Sequence, residues 1–126
     1  MWRALLFSIF ISTPLFAKTI SFACVEDIIQ AEGIYLAFAQ NQVAKVQETY
    51  IYDINAHTID IAGTQLACET QDSIIQCKRF EYDVDYEYSW SLIIDQKSLS
   101  SKFHKVGFYA DRNHEIKTQG SCSIKQ

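Results

Sequence analysis

Apolar and polar residues alternate one by one along the segment Phe80–Asp95. Phe80, Tyr82, Val84, Tyr86, Tyr88, Trp90, Leu92 and Ile94 take the even positions. Glu81, Asp83, Asp85, Glu87, Ser89, Ser91 and Asp95 take the odd ones, and only Ile93 breaks the rule. A period of two means β structure with one face buried and one face wet. An unbroken strand of this length would run roughly 53 Å at ~3.3 Å per residue, too long for a small domain. A turn or bulge near Asp83-Val84-Asp85 is therefore expected to split it, since aspartate tolerates turn geometry by bonding its own backbone.

Shorter alternations predict further strands. Val46–Ile54 carries Tyr50, Tyr52 and Ile54 on one side, Asn55-Ala56-His57 turns, and Thr58–Ile61 returns. Gly63-Thr64 turns again, and Gln65–Thr70 leads to the polar turn Gln71-Asp72-Ser73. After the loop-like Gln96-Lys97-Ser98, Lys102–Tyr109 and Ile116–Ile124 read as the last strands, joined through Asp111-Arg112-Asn113-His114. Turn signals that recur every ~8–12 residues are the spacing of an antiparallel sandwich or barrel. The expectation is an all-β domain, a small antiparallel β-sandwich or barrel of about seven or eight strands. One short N-terminal helix is expected over residues 25–31, where Val25, Ile28 and Ile29 have helical spacing, with Gly33 as its stop. Ile34, Leu36 and Phe38 then have strand spacing.

The first residues change the picture by fixing the compartment. Arg3 precedes an apolar core that begins at Ala4-Leu5-Leu6-Phe7, Pro14 breaks it, and Ala17 offers a small residue to a peptidase. This is the layout of a cleavable signal peptide over residues 1–17, and its apolar stretch is shorter than the roughly 20 residues that span a bilayer. Leu15 is larger than the usual small residue two places before a cut. A lipoprotein cut before Cys24 is a poorer reading, because Lys18 and Thr19 interrupt the apolar run. Cleavage near Ala17 leaves a single domain over 18–126, periplasmic or secreted, with no transmembrane segment. Its balance is 10 basic against 15 acidic residues, a net −5, which excludes a basic footprint for nucleic acid.

Export licenses disulfides, and Cys24, Cys68, Cys77 and Cys122 all fall in the mature part. If Asp72 and Ser73 are the turn residues, Cys68 lies opposite Cys77 across the hairpin, which leaves Cys24 for Cys122. A bridge that closes nearly the whole domain contributes about 4–5 kcal/mol in the chain-entropy model. No CxxC spacing suggests zinc. Asp83-Val84-Asp85-Tyr86-Glu87 begins like a calcium loop, but the glycine that lets such a loop turn is missing, as are the later ligands. Neither a metal nor a cofactor is expected. A solvated face screened by Lys102 and Lys105 is the plainer reading of the acids.

No catalytic residue can be named. No G-x-S-x-G elbow marks a nucleophile, and His57, His104 and His114 share no motif. Asp53 and Asp95 each end a strand before a polar turn and read as turn caps rather than an active-site pair. The many tyrosines suit recognition surfaces and equally suit a β core whose rim meets water. On their alternation they read as core, leaving Ile93 and Tyr35 as residues that would point to a partner.

Ser21-Phe22-Ala23-Cys24, Tyr52-Asp53-Ile54, Leu92-Ile93-Ile94-Asp95 and Gly120-Ser121-Cys122 carry a resemblance to small exported bacterial proteins of uncharacterised function. Where such proteins often read aspartate–arginine and then a threonine–glycine turn, this chain has Asp95-Gln96 and no glycine. The resemblance implies the Cys24–Cys122 closure and no activity. The periplasmic inhibitors of C-type lysozyme agree with it in size, compartment and disulfides, but their inhibitory loop has no counterpart here. The expected function is therefore non-enzymatic binding of a protein partner in the cell envelope or outside it, inhibitor-like, by a monomer or weak dimer. A carrier of small hydrophobic ligands or lipid, with an interior lined by Phe80, Tyr82, Trp90 and Leu92, is the first alternative. A hydrolase using His104 or His114 with a nearby carboxylate is the second.

Overall fold

The computed structural model describes residues 18–37 and 45–125; the leader expected at 1–17 and residue Phe38 lie outside the described residues. The strands are β1 (Thr19–Glu32), β2 (Val46–Asp53), β3 (Thr58–Ile61), β4 (Thr64–Gln71), β5 (Ile74–Asp83), β6 (Tyr86–Asp95), β7 (Ser100–Tyr109) and β8 (Arg112–Lys125). They pair in sequence order, all antiparallel, and β8 returns to β1, so the sheet closes as an eight-stranded barrel rather than a sandwich. Closure removes the free edges that an open sheet would present.

Local chemistry sets each hairpin. Ala62 and Gly63, both at positive φ (49° and 95°), make the two-residue turn between β3 and β4, the backbone that matches strand twist. Asp72 (φ 57°) and Ser73 turn β4 into β5, which places Cys68 opposite Cys77. Asp53 and Asp95 cap the longer turns: Asp53 Oδ1 accepts the Asn55 and Ala56 N–H at 3.0 Å, and Asp95 Oδ1 accepts those of Lys97 and Ser98 at 2.9 and 3.3 Å.

Both expected disulfides are present, Cys24–Cys122 and Cys68–Cys77. With its sulfur in a bridge, Cys24 is not a lipid-attachment residue here.

Two expectations are corrected. Residues 25–31 belong to β1 and are not helical, because the ladder to β8 slips one residue between Ile28 and Gln30. A β-bulge inserts one residue and breaks the period of two. Ile28 pairs with Thr118 and Gln30 with Lys117, so Ile29 is the inserted residue. The apparent helical set mixes the inward Ile28 with Val25 and Ile29, which stand outside at 42% and 55% exposure. Beyond it Gly33–Tyr35 forms a single 3-10 turn instead of starting a strand. Gly33 has φ 69°, and a Cβ on it would lie 2.1 Å from His114 Nδ1, so the position needs glycine.

The second correction concerns the long alternation. The turn is where it was expected, with Val84-Asp85 between the pair Asp83–Tyr86. A two-residue turn, however, makes partners of Glu81 and Tyr88, and of Tyr82 and Glu87. Directly paired residues share a face. The inward set of β5 is therefore Ile75, Cys77, Arg79 and Glu81, while Phe80 and Tyr82 stand outside, 65% and 72% exposed. They do not line the interior; Trp90 and Leu92 do.

The core fills the lower part of the barrel with Phe22, Tyr50, Ile59, Leu66, Ile75, Leu92 and Ile94, all at 0–1% exposure. The wall is uneven in height. β2 pairs with β1 only as far as Val46–Glu26, and β4 pairs with β5 only as far as Ala67–Lys78. Strands β5 to β8 with the end of β1 thus rise as a tall wall above a low one. The outward positions carry charges such as Asp27, Asp60, Lys78, Glu87 and Lys117, the reverse of the apolar band on a lipid-facing barrel. Among the described residues no helix is long and apolar enough to cross a membrane.

Candidate functional site

Among the described residues the barrel interior holds one fully buried acid. Glu26 follows Phe22 and Cys24 on the inward face of β1 and is 0% exposed. Tyr50 donates to both its carboxylate oxygens (2.9 and 2.8 Å), Ser101 to Oε2 (2.5 Å) and Thr118 to Oε1 (2.8 Å). Strands β1, β2, β7 and β8 are tied at this point. Burial and then the neighbouring Glu26 hold the Tyr50 phenol far above its ordinary value. Glu48, two residues from Tyr50 on the same face, is raised by burial first and Glu26 second. The hydroxyls satisfy the carboxylate, so this cluster reads as an interior brace.

Above it the mouth is lined by Lys105 and aromatic rings. Lys105 Nζ stands 4.0 Å from the Trp90 ring centre, 4.6 Å from Tyr88 and 5.9 Å from Tyr35. Loss of water pulls its pKa down, and Glu81 pulls it partly back. Glu81 also accepts from Trp90 Nε1 and pairs with Arg79, which in turn donates to the Gln65 carbonyl. The four acids from Glu81 to Glu87 do not form one face, since Glu81 faces the mouth while Glu87 faces out. Of the two expected screening lysines, Lys105 is placed near Glu81 and Lys102 is on the outer wall. Tyr35 faces the mouth, half-buried, and Ile93 is on the outer wall.

The histidines lie apart. His114 is buried; its Nδ1 accepts the Ile34 N–H at 2.9 Å, so Nε2 carries the proton and donates to the Tyr109 carbonyl at 3.0 Å. Both nitrogens are thus taken up by backbone. His104 is on the outer wall, its Nε2 2.5 Å from Glu115 Oε2, with Gln30 donating to Oε1 at 2.8 Å. His57 is exposed in the β2–β3 turn at φ 56°. Asp53 and Asp95 serve their own turns, and backbone N–H donors hold the Asp95 carboxyl below its ordinary value. Among the described residues no group of three or more His, Cys, Asp or Glu could hold a metal ion.

The surface with the clearest recognition character is at the top of the tall wall. The β5–β6 turn and the β7–β8 turn rise past the Tyr86–Tyr109 pair and leave a saddle of about 550 Å³ between them. Tyr82, Val84, Tyr86, Phe108 and Tyr109 supply its apolar surface, and Val84 is 95% exposed at the tip. Asp83, Asp85, Glu87 and Asp111 line the same saddle, and none of them is in an ion pair among the described residues. Phe80 extends the patch down the wall, its ring 5.9 Å from that of Tyr82. Exposed aromatic rings interspersed with unpaired acids form a mixed surface of the kind that suits recognition.

Sequence reasoning missed Glu26, although an acid on the inward side of Phe22 and Cys24 was the signal. It was hidden because the bulge made that segment look helical. It also missed the saddle, which exists only because the turn reverses the faces of β5. No family model matches this chain, and neither a curated protein nor a solved structure matches it.

Proposed function

We propose that the protein is an exported, non-enzymatic binding module that docks a cationic protein partner in the cell envelope or outside the cell. One observation carries this reading: Tyr82, Val84 and Phe108 are exposed together at one end, among four acids without counter-ions. Aromatic anchors bring large contact area at small entropic cost, and unpaired carboxylates beside them favour a lysine- or arginine-bearing segment. The two disulfides fit an oxidising compartment, as does the leader read at residues 1–17. The scaffold brings the saddle to a partner as a monomer or weak dimer, already rigid.

The other readings draw less support. A carrier needs a deep empty interior, whereas Phe22, Tyr50, Leu66 and Leu92 pack the lower part of this one and Lys105 stands in its mouth. For a hydrolase, His114 spends both nitrogens on backbone. His104, which does have the Glu115 carboxylate beside its Nε2, has no nucleophile hydrogen-bonded to its other nitrogen among the described residues.

The test is capture from envelope and extracellular extracts by wild type and by Tyr82→Ser/Phe108→Ser, over a salt series. A basic protein held by wild type at low salt, released by salt and absent from the variant is the expected result. Identical retention by the two proteins would remove the saddle from consideration.

A further inference from the structure

Lower on the same outer wall is a depression of different character. Its volume is about 310 Å³, and Lys102, Lys117, Ser91, Gln119, Ile29 and Ile93 contribute to its lining. The register explains the gathering. Lys117 is paired with His104 and Lys102 with Gln119, so the two lysines are diagonal neighbours across β7 and β8. Ile93 is paired with Lys102, and Ser91 with His104, which places a methyl-rich floor and a hydroxyl beside the charges. The bulge in β1 pushes Ile29 out as the remaining wall.

Like charges that are diagonal neighbours on one sheet face repel each other. Two other cations are matched, Lys45 with Asp27 and Arg79 with Glu81. Lys78, Lys97, Arg112 and Lys125 form no ion pair among the described residues and do not share a hollow with a second unpaired cation. Among the described residues neither Lys102 nor Lys117 forms an ion pair, and the outer-wall acids of the adjoining register are already engaged, Glu115 by His104 and Gln30 and Asp27 by Lys45. Two unpaired ammonium groups, a hydroxyl and an amide around one hollow supply more donors than the two oxygens of a carboxylate can use. A phosphate monoester has three terminal oxygens and an organic arm, which the Ile29 and Ile93 side chains can cover.

The geometry points to a phosphate-binding site on the outer wall, in which Lys102 and Lys117 hold the phosphate of an organic phosphomonoester against Ile29 and Ile93. The phosphate can belong to a free small molecule or to a lipid headgroup, and the wall offers the same donors to both. The site is separate from the saddle and stands or falls independently of it.

The experiment is an amide NMR titration of the labelled protein with inorganic phosphate, with hexyl phosphate, and with phosphatidylcholine vesicles containing or lacking phosphatidic acid. Saturable shifts centred on Ser91, Ile93, Lys102 and Lys117, stronger for hexyl phosphate than for phosphate and weakened at least tenfold in Lys102→Gln/Lys117→Gln, are expected for a free ligand. Response only to the phosphatidic acid vesicles, lost in the same variant, identifies the lipid source and supports the same site. Both lysines are on the outer wall away from the core, so the variant keeps the fold, which its circular dichroism verifies. No saturable response to any probe, shifts centred elsewhere, or equal binding by the variant overturns the proposal.

Discussion

Replacing Glu26 by leucine should cost about 3–5 kcal/mol of stability, the range for removing one partner from a buried charged cluster. The figure follows from what the carboxylate leaves behind. Tyr50, Ser101 and Thr118 all donate to it, and they are 0%, 1% and 4% exposed. A buried hydroxyl without its partner costs about 1–3 kcal/mol, and relief of the carboxylate's own desolvation offsets part of the sum. Against a total of about 5–15 kcal/mol, the single variant stands near unfolding. The informative companion is Glu26→Leu/Tyr50→Phe/Ser101→Ala/Thr118→Val, in which every polar member is gone. An apolar replacement of a whole buried cluster is commonly neutral or stabilising, so this variant should recover to within about 2 kcal/mol of wild type. Urea unfolding followed by far-ultraviolet circular dichroism at one fixed pH measures both. The reasoning fails if Glu26→Leu costs under about 1 kcal/mol, or if the quadruple variant is no more stable than the single one.

The disulfides should differ in weight. The chain-entropy model assigns about 4.7 kcal/mol to Cys24–Cys122 and about 2.6 kcal/mol to Cys68–Cys77, from sequence separations of 98 and 9. Serine pairs at each bridge, compared by urea midpoint, check the order, and a larger loss at the short hairpin would refute it. Alkali should expose Tyr50, whose phenol is held above its ordinary value of 10.0 by burial and by Glu26. The folded protein keeps a proton that the unfolded chain releases, so this contribution is fully present below about pH 10. It is lost as pH rises from there toward the folded-state value, at up to ~1.4 kcal/mol per pH unit. Stability curves of wild type and Tyr50→Phe should therefore converge above pH 10, and parallel curves would count against the coupling.

The strands were legible where a single rule governed them. Val46–Ile54 alternates because one side faces the core, and the Cys68–Cys77 bridge follows from the Asp72-Ser73 turn. Legibility failed at two places, for one geometric reason. At Ile28–Gln30 an added residue shifts the inward set by one, and at Val84-Asp85 a two-residue turn reverses it. Parity is a relation between a residue and its partner strand. Counting along the chain across a bulge or a tight turn therefore assigns the wrong face, however regular the letters look. Closure was hidden for a related reason: the β1–β8 ladder joins residues about 100 apart, and alternation within a strand says nothing of its partner.

The reversal at Val84-Asp85 also bears on function. Had the alternation continued unbroken, Phe80 and Tyr82 would be core residues, and the upper barrel would need no partner to account for them. Instead the inward places above Cys77 go to Arg79 and Glu81, which brace the rim through Gln65 and Trp90. Two large aromatic rings are left on the outside of the wall. Exposing them has a cost that the fold does not recover locally, because nothing among the described residues covers them. The lower barrel can sustain that cost: its apolar core, its two bridges and the Glu26 brace fix the strands without help from the upper wall. On the proposed reading stability and recognition are divided by height, and the aromatic top of β5 is where a partner would be felt first.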